Sequence, residues 1–146
     1  SRIVKSSLVR SLITLPSRPG PIARNRAFDA ARVDLASPVP AEVALPLLLI
    51  APEHPDEVTM LGYPADAAEP LAVLDACPVT TLAPPVLELA CPARSGYSGG
   101  PVLIAGSGPP SIVAIMVARR TVSGREMTLA VIPASNIWPV DTGDGY

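Results

Sequence analysis

Aromatic side chains are scarce in this chain of 146 residues, at 3% of the total. Apolar residues still make up 49%, so a core must be filled by Val, Leu, Ile and Ala rather than by rings. Histidine occurs once, at His54, and cysteine twice, at Cys77 and Cys91. One histidine with two cysteines at that spacing cannot make a tetrahedral zinc site, so no metal is expected, and no motif implies an organic cofactor. Charge of either sign is sparse, with 11 basic and 13 acidic residues and a net charge of −2. No basic stripe interleaved with aromatics appears, which removes nucleic acid from the expected partners. Long hydrophobic runs are missing too. The longest apolar run is broken at Pro46 and stops at Pro52, too short for a helix that spans a bilayer. The opening Ser1-Arg2-Ile3-Val4-Lys5 lacks the layout of a secretory signal and an initiator Met, so Ser1 is not expected to be the start of the gene product.

Proline, by contrast, is abundant, at 19 residues. That many prolines do not fit inside helices or central strands and point to short strands joined by turns. Ile3 to Leu15 is rich in β-branched residues and leucine, and suits two short strands or one bent strand. Arg24 to Arg32 leans towards helix, while Val33-Asp34-Leu35-Ala36 stands between turn signals. Ala44 to Ala51 fits a buried strand or an extended linker, and Pro52 to Asp56 is the best lobe boundary. Strands are predicted over 57–62, 71–82, 85–91, 102–104 and 112–117. Ser123-Gly124 separates a final hairpin, 118–122 with 127–132. Regular short strands with turns between them give an all-β barrel or sandwich.

The segment Gly96-Tyr97-Ser98-Gly99-Gly100-Pro101 carries the most specific chemistry. Acyl transfer needs a serine exposed on a tight turn, with backbone N–H groups converging on the developing oxyanion. Glycines on both sides permit that approach. Ser98 is therefore the candidate nucleophile, and the N–H groups of Gly96 and Ser98 are the candidate oxyanion donors. The following Val102-Leu103-Ile104 is a strand rather than a helix, which separates this motif from the nucleophile elbow of α/β-hydrolases. An ordinary glycine-rich turn would also satisfy the bare string.

The motif resembles the Gly-x-Ser-Gly-Gly-Pro signature of trypsin-like, chymotrypsin-fold serine proteases, and other segments arrive in that family's order. Val33-Asp34-Leu35-Ala36 is similar to the segment that bears the triad aspartate. Glu57 to Pro64, with its Gly62-Tyr63-Pro64 end, looks like the first strand of the second barrel. Ile112 to Val117 resembles the strand after the nucleophile, and 130–133 the last strand. The resemblance implies a double β-barrel in which residues 1–53 are the remainder of the first barrel and 54–146 form the second, nucleophile-bearing one. It implies a serine endopeptidase acting on polypeptides, with Asp34 orienting the catalytic base. Local sequence would equally let Asp34 cap a turn. The pocket floor would fall at Pro92 and Ala93 and the wall at Met116, Val117 and Ala118. None is charged, so a modest apolar side chain is the expected preference. Arg119 and Arg120 read as a solvated strand end.

The spacing of Cys77 and Cys91 leaves a disulfide and two buried thiols equally open. The bacterial glutamyl-endopeptidase branch, which the chain resembles most, has a cysteine seven residues before the serine, as at Cys91, paired with an upstream one. The resemblance thus implies a Cys77–Cys91 disulfide and a periplasmic or secreted bacterial protein.

One departure dominates. The family's base is a histidine placed before the aspartate, and His54 follows Asp34, in the expected linker. A solvated linker role fits His54 better than catalysis. The first barrel is short as well, so the expectation is that its missing strands and the histidine lie before residue 1 or come from another chain. The 146 residues alone are then expected to be inactive. A pseudoprotease that binds peptides or a partner is the alternative.

Overall fold

The computed structural model describes residues 9–14, 31–40, 42–44, 47–66 and 71–133, with side-chain environments from Leu35 onward. Within these the chain is all-β, without a helix. Strands β1 (Val9–Thr14) and β2 (Ala31–Leu35) form an antiparallel pair in which Ser11 stands opposite Asp34. Ala31 and Arg32, expected to lean towards helix, are extended in β2, because pairing with Thr14 and Ile13 supplies backbone partners that nine residues of weak helix propensity cannot. Residues 24–30 lie outside the described part.

Six strands, β3 (Glu57–Gly62), β4 (Ala72–Ala83), β5 (Val86–Leu89), β6 (Pro101–Ile104), β7 (Ser111–Val122) and β8 (Arg125–Val131), close into an antiparallel barrel. Their order around it is β3-β4-β5-β8-β7-β6, and β6 returns to pair with β3. Closure pairs every barrel strand on both sides over part of its length, a solution open to short strands that could not stand alone. The interior follows from the alternation in the sequence. In β3, Val58 and Met60 point inward, and in β5, Leu87 and Leu89 do. Val102, Val113, Ala114, Met116 and Ala130 extend a mostly aliphatic core, as the shortage of aromatics required, with Tyr97 its one aromatic member among the described residues.

The long strands β4 and β7 depart from simple alternation. Each carries two register shifts: β4 near Ala76 and at Thr80, and β7 at Val113 and Val117. At each shift the long strand spends one residue more than its neighbour, which bends it around a small barrel. Ala76, at φ 51°, marks one of these bends. The β7–β8 turn, Ser123-Gly124, has positive φ at both residues, 50° and 77°, as a two-residue type I′ hairpin requires.

Of 44–51, the described residues run as an extended linker rather than a buried strand. Leu48 is largely exposed, and Leu49 makes an isolated parallel bridge to Ile112. There Ile112 donates to the Leu48 carbonyl at 2.7 Å and accepts from Ile50 at 2.9 Å. This occupies the start of β7, which β8 reaches only from Ile115 onward. Among the described residues no helix is long and apolar enough to cross a membrane.

Candidate active site

The loop between β5 and β6, residues 90–100, holds Ser98 at the barrel surface. It is tied down at both ends. Ala90 donates to Pro78 at 2.9 Å, and Cys91 is joined to Cys77 by a disulfide, with Cα atoms 5.6 Å apart. The covalent tie holds the loop's first turn against β4, so the disulfide alternative, rather than two free thiols, is the one realised. At the far end, Gly99 donates to the Met116 carbonyl at 2.8 Å, and Met116 donates to Gly100 at 2.9 Å. The candidate nucleophile is thus flanked by residues stitched directly to β7.

Between these anchors the loop packs on the end of β3. The buried ring of Tyr97 lies over Gly62, where an added Cβ would come within 2.6 Å of it. Gly96 has φ +97°, and a Cβ there would stand 2.2 Å from the Tyr63 carbonyl oxygen and 2.7 Å from the Ala65 nitrogen. A side chain is therefore excluded at Gly96 twice, by dihedral and by space. Ala65 donates to the Ser95 carbonyl at 2.8 Å. Arg94 adds an exposed ion pair, its Nη2 donating to Asp66 Oδ2 at 2.9 Å. The Arg94 guanidinium, with a backbone hydrogen bond, holds the Asp66 carboxyl below its ordinary value.

These constraints leave a pattern in the backbone donors. Tyr97 donates to Arg94 at 3.2 Å, Gly99 to Met116 and Gly100 to Tyr97 at 2.9 Å. The N–H groups of Gly96 and Ser98 have no acceptor among the described residues. Ser98 itself is exposed. Ser98 is thus an exposed hydroxyl on a turn anchored to β4 and β7, with two backbone N–H groups nearby in sequence that lack an acceptor among the described residues.

The other sequence-derived residues fall as follows. Ala93 is buried and Pro92 exposed, both on the approach to Ser98. Met116 is buried in the barrel, while Val117 and Ala118 are half-buried at the β7 bulge. β6 begins at Pro101, opposite Ile115, so beyond Met116 that side of β7 has no strand partner among the described residues. Arg119 is exposed, but Arg120 is engaged: its Nε and Nη2 both donate to Glu88 Oε1, at 2.8 and 2.6 Å. Asp34 lies on β2, and its side chain is outside the described part. His54 is exposed, with φ 43°, on the segment leading into β3. No group of His, Cys, Asp and Glu among the described residues could hold a metal ion.

Sequence reading missed Thr128, a buried polar residue of β8 that reaches the loop, and the use of Gly62 as a seat for Tyr97. A glycine ending a strand and a threonine within one carry no local mark of such roles.

The fold and loop define a class: an all-β protein with a closed six-stranded antiparallel barrel that is compatible with a chymotrypsin-like barrel. In comparisons with known proteins, no family model and no curated protein matches the chain.

Proposed function

We propose that this chain is the nucleophile-bearing part of a serine endopeptidase. The observation that supports this reading is the exposed Ser98 on an anchored glycine-rich turn, with the Gly96 and Ser98 N–H groups lacking an acceptor among the described residues. In the reaction, Ser98 Oγ attacks the scissile carbonyl carbon while a base takes its proton, and the oxyanion is received by the two N–H groups. Collapse expels the amine, which leaves with the proton, and water then attacks the acyl-Ser98 ester by the same route. The base is a histidine from outside these 146 residues, oriented by Asp34, and the missing strands complete a first barrel to which residues 1–53 belong. An extended substrate would lie along the open side of β7 beyond Met116, with Pro92, Ala93, Val117 and Ala118 around an apolar side chain. The disulfide fits an oxidising compartment, which supports a periplasmic or extracellular location.

The alternative is a pseudoprotease that uses the same surface to bind peptide, and the exposed linker position of the single histidine favours it. Both are tested by one experiment. The full-length protein is treated with a fluorophosphonate probe and the labelled residue mapped by mass spectrometry. Labelling at Ser98, lost in Ser98→Ala, is the expected result. A folded full-length protein that takes no label would end the enzyme reading and leave the binding one.

A further inference from the structure

Thr128 is fully buried on β8. Its hydroxyl donates to the Cys91 carbonyl at 2.6 Å and accepts from the Ala93 N–H at 3.1 Å. Both partners lie in the segment that leads from the disulfide towards Ser98. This segment has left the sheet, since β5 ends at Leu89, and Thr128 supplies the backbone partners that a strand would have supplied. From Ala93 the path to the candidate nucleophile is one turn. The next residue, Arg94, accepts the Tyr97 N–H at 3.2 Å, and Ser98 follows. We infer that Thr128 is a positioning residue of the Ser98 site. Its hydroxyl fixes the backbone of 91–93 and, through the 94–97 turn, the direction of the Gly96 and Ser98 N–H groups.

The inference rests on the reading of Ser98 as a nucleophile. It assigns the effect to the hydroxyl and not to the bulk of the side chain, which separates it from a merely structural role. Valine keeps the shape and removes the hydroxyl, stranding a buried carbonyl and a buried N–H. Serine keeps the hydroxyl and removes a methyl group. Loss of a whole oxyanion donor slows acyl transfer by about 100-fold or more, so a displaced pair is expected to cost about tenfold.

The test measures the second-order rate of fluorophosphonate labelling at Ser98 in full-length wild type, Thr128→Val and Thr128→Ser. All are compared well below their melting temperatures, with thermal unfolding recorded alongside. The valine variant is expected to label about tenfold more slowly. The serine variant is expected to label within about twofold of wild type even though the lost methyl lowers its melting temperature. Wild-type labelling by the valine variant would overturn the inference. So would a serine variant slowed tenfold, because packing and not the hydroxyl would then govern the site. If the valine variant does not fold, the serine variant decides by the same two outcomes. A wild type that takes no label at all defeats the nucleophile reading itself, and this inference with it, a result recognisable because it does not depend on residue 128.

Discussion

Gly96, Gly99 and Gly100 surround one serine, yet they are required for different reasons. At Gly96 a side chain meets both an unfavourable φ and backbone atoms within 3 Å. Gly96→Ala is expected to cost about 3 kcal/mol, left-handed strain and overpacking together. Gly99 has φ +85° but nothing within 4 Å of an added Cβ. Gly99→Ala is therefore expected to cost only the strain, about 1–2 kcal/mol. Gly100 would put a Cβ 2.2 Å from the Leu61 carbonyl oxygen. Urea unfolding of the variants checks this order: if Gly99→Ala were as damaging as Gly96→Ala, the close contacts with Tyr63 and Ala65 would not be what demands glycine. The two arginines at the end of β7 also divide. Arg119→Ala is expected to change stability by less than about 0.5 kcal/mol. Arg120→Ala leaves the mostly buried Glu88 carboxylate without its partner and is expected to cost about 1–3 kcal/mol. At this scale the sequence shows that glycines flank Ser98. It does not show which of them touches which backbone atom, because Tyr63 and Ala65 are more than 30 positions away in sequence.

The 90–100 loop is held by three devices of unequal strength. The disulfide closes a separation of 14 residues, and a loop of that size is worth about 3 kcal/mol in the chain-entropy account. Replacing both cysteines by alanine is expected to lower stability by about that amount in urea titrations, and a reductant to lower the melting temperature of wild type but not of the double variant. The Arg94–Asp66 pair is exposed and contributes little. Its signature is the pH dependence. Because folding depresses the Asp66 pKa below 3.8, its contribution is present above about 3.8 and fades as pH falls through the folded value. Asp66→Asn is expected to lower the melting temperature slightly at neutral pH, where the contribution is present, and to converge on wild type as the pH falls below about 3.8, as read from melting temperatures across that range. Thr128 is the third device. The strands themselves were largely legible. The predicted 71–82, 102–104 and the 123–124 turn coincide closely with β4, β6 and the type I′ turn. The bulges of β4 and β7 were not, since an extra residue in a strand has meaning only relative to the neighbour it pairs with.

Among the described residues, the buried core lies between Val58 and Ile132. The strands of the barrel run from Glu57 to Val131, and the linker 47–50 adds its pairing to Ile112. A fragment of residues 47–133, oxidised, is therefore expected to unfold cooperatively, with a urea slope of about 1–3 kcal/mol per molar. A broad, non-cooperative transition would mean that residues outside the interval are needed to complete the core. Sequence alone determined that this protein is all-β, that its core is aliphatic, and that Ser98 stands on a glycine-rich turn ahead of a strand. Proline content, residue type and spacing are local properties, and they suffice for that. Tertiary structure decided the rest: closure of β3 onto β6, the pairing of Cys77 with Cys91, the seating of Tyr97 on Gly62, and the Gly96 and Ser98 N–H groups that lack an acceptor among the described residues. The first three join residues separated in the chain, and only the barrel's register brings them within a bond length or a van der Waals radius of one another.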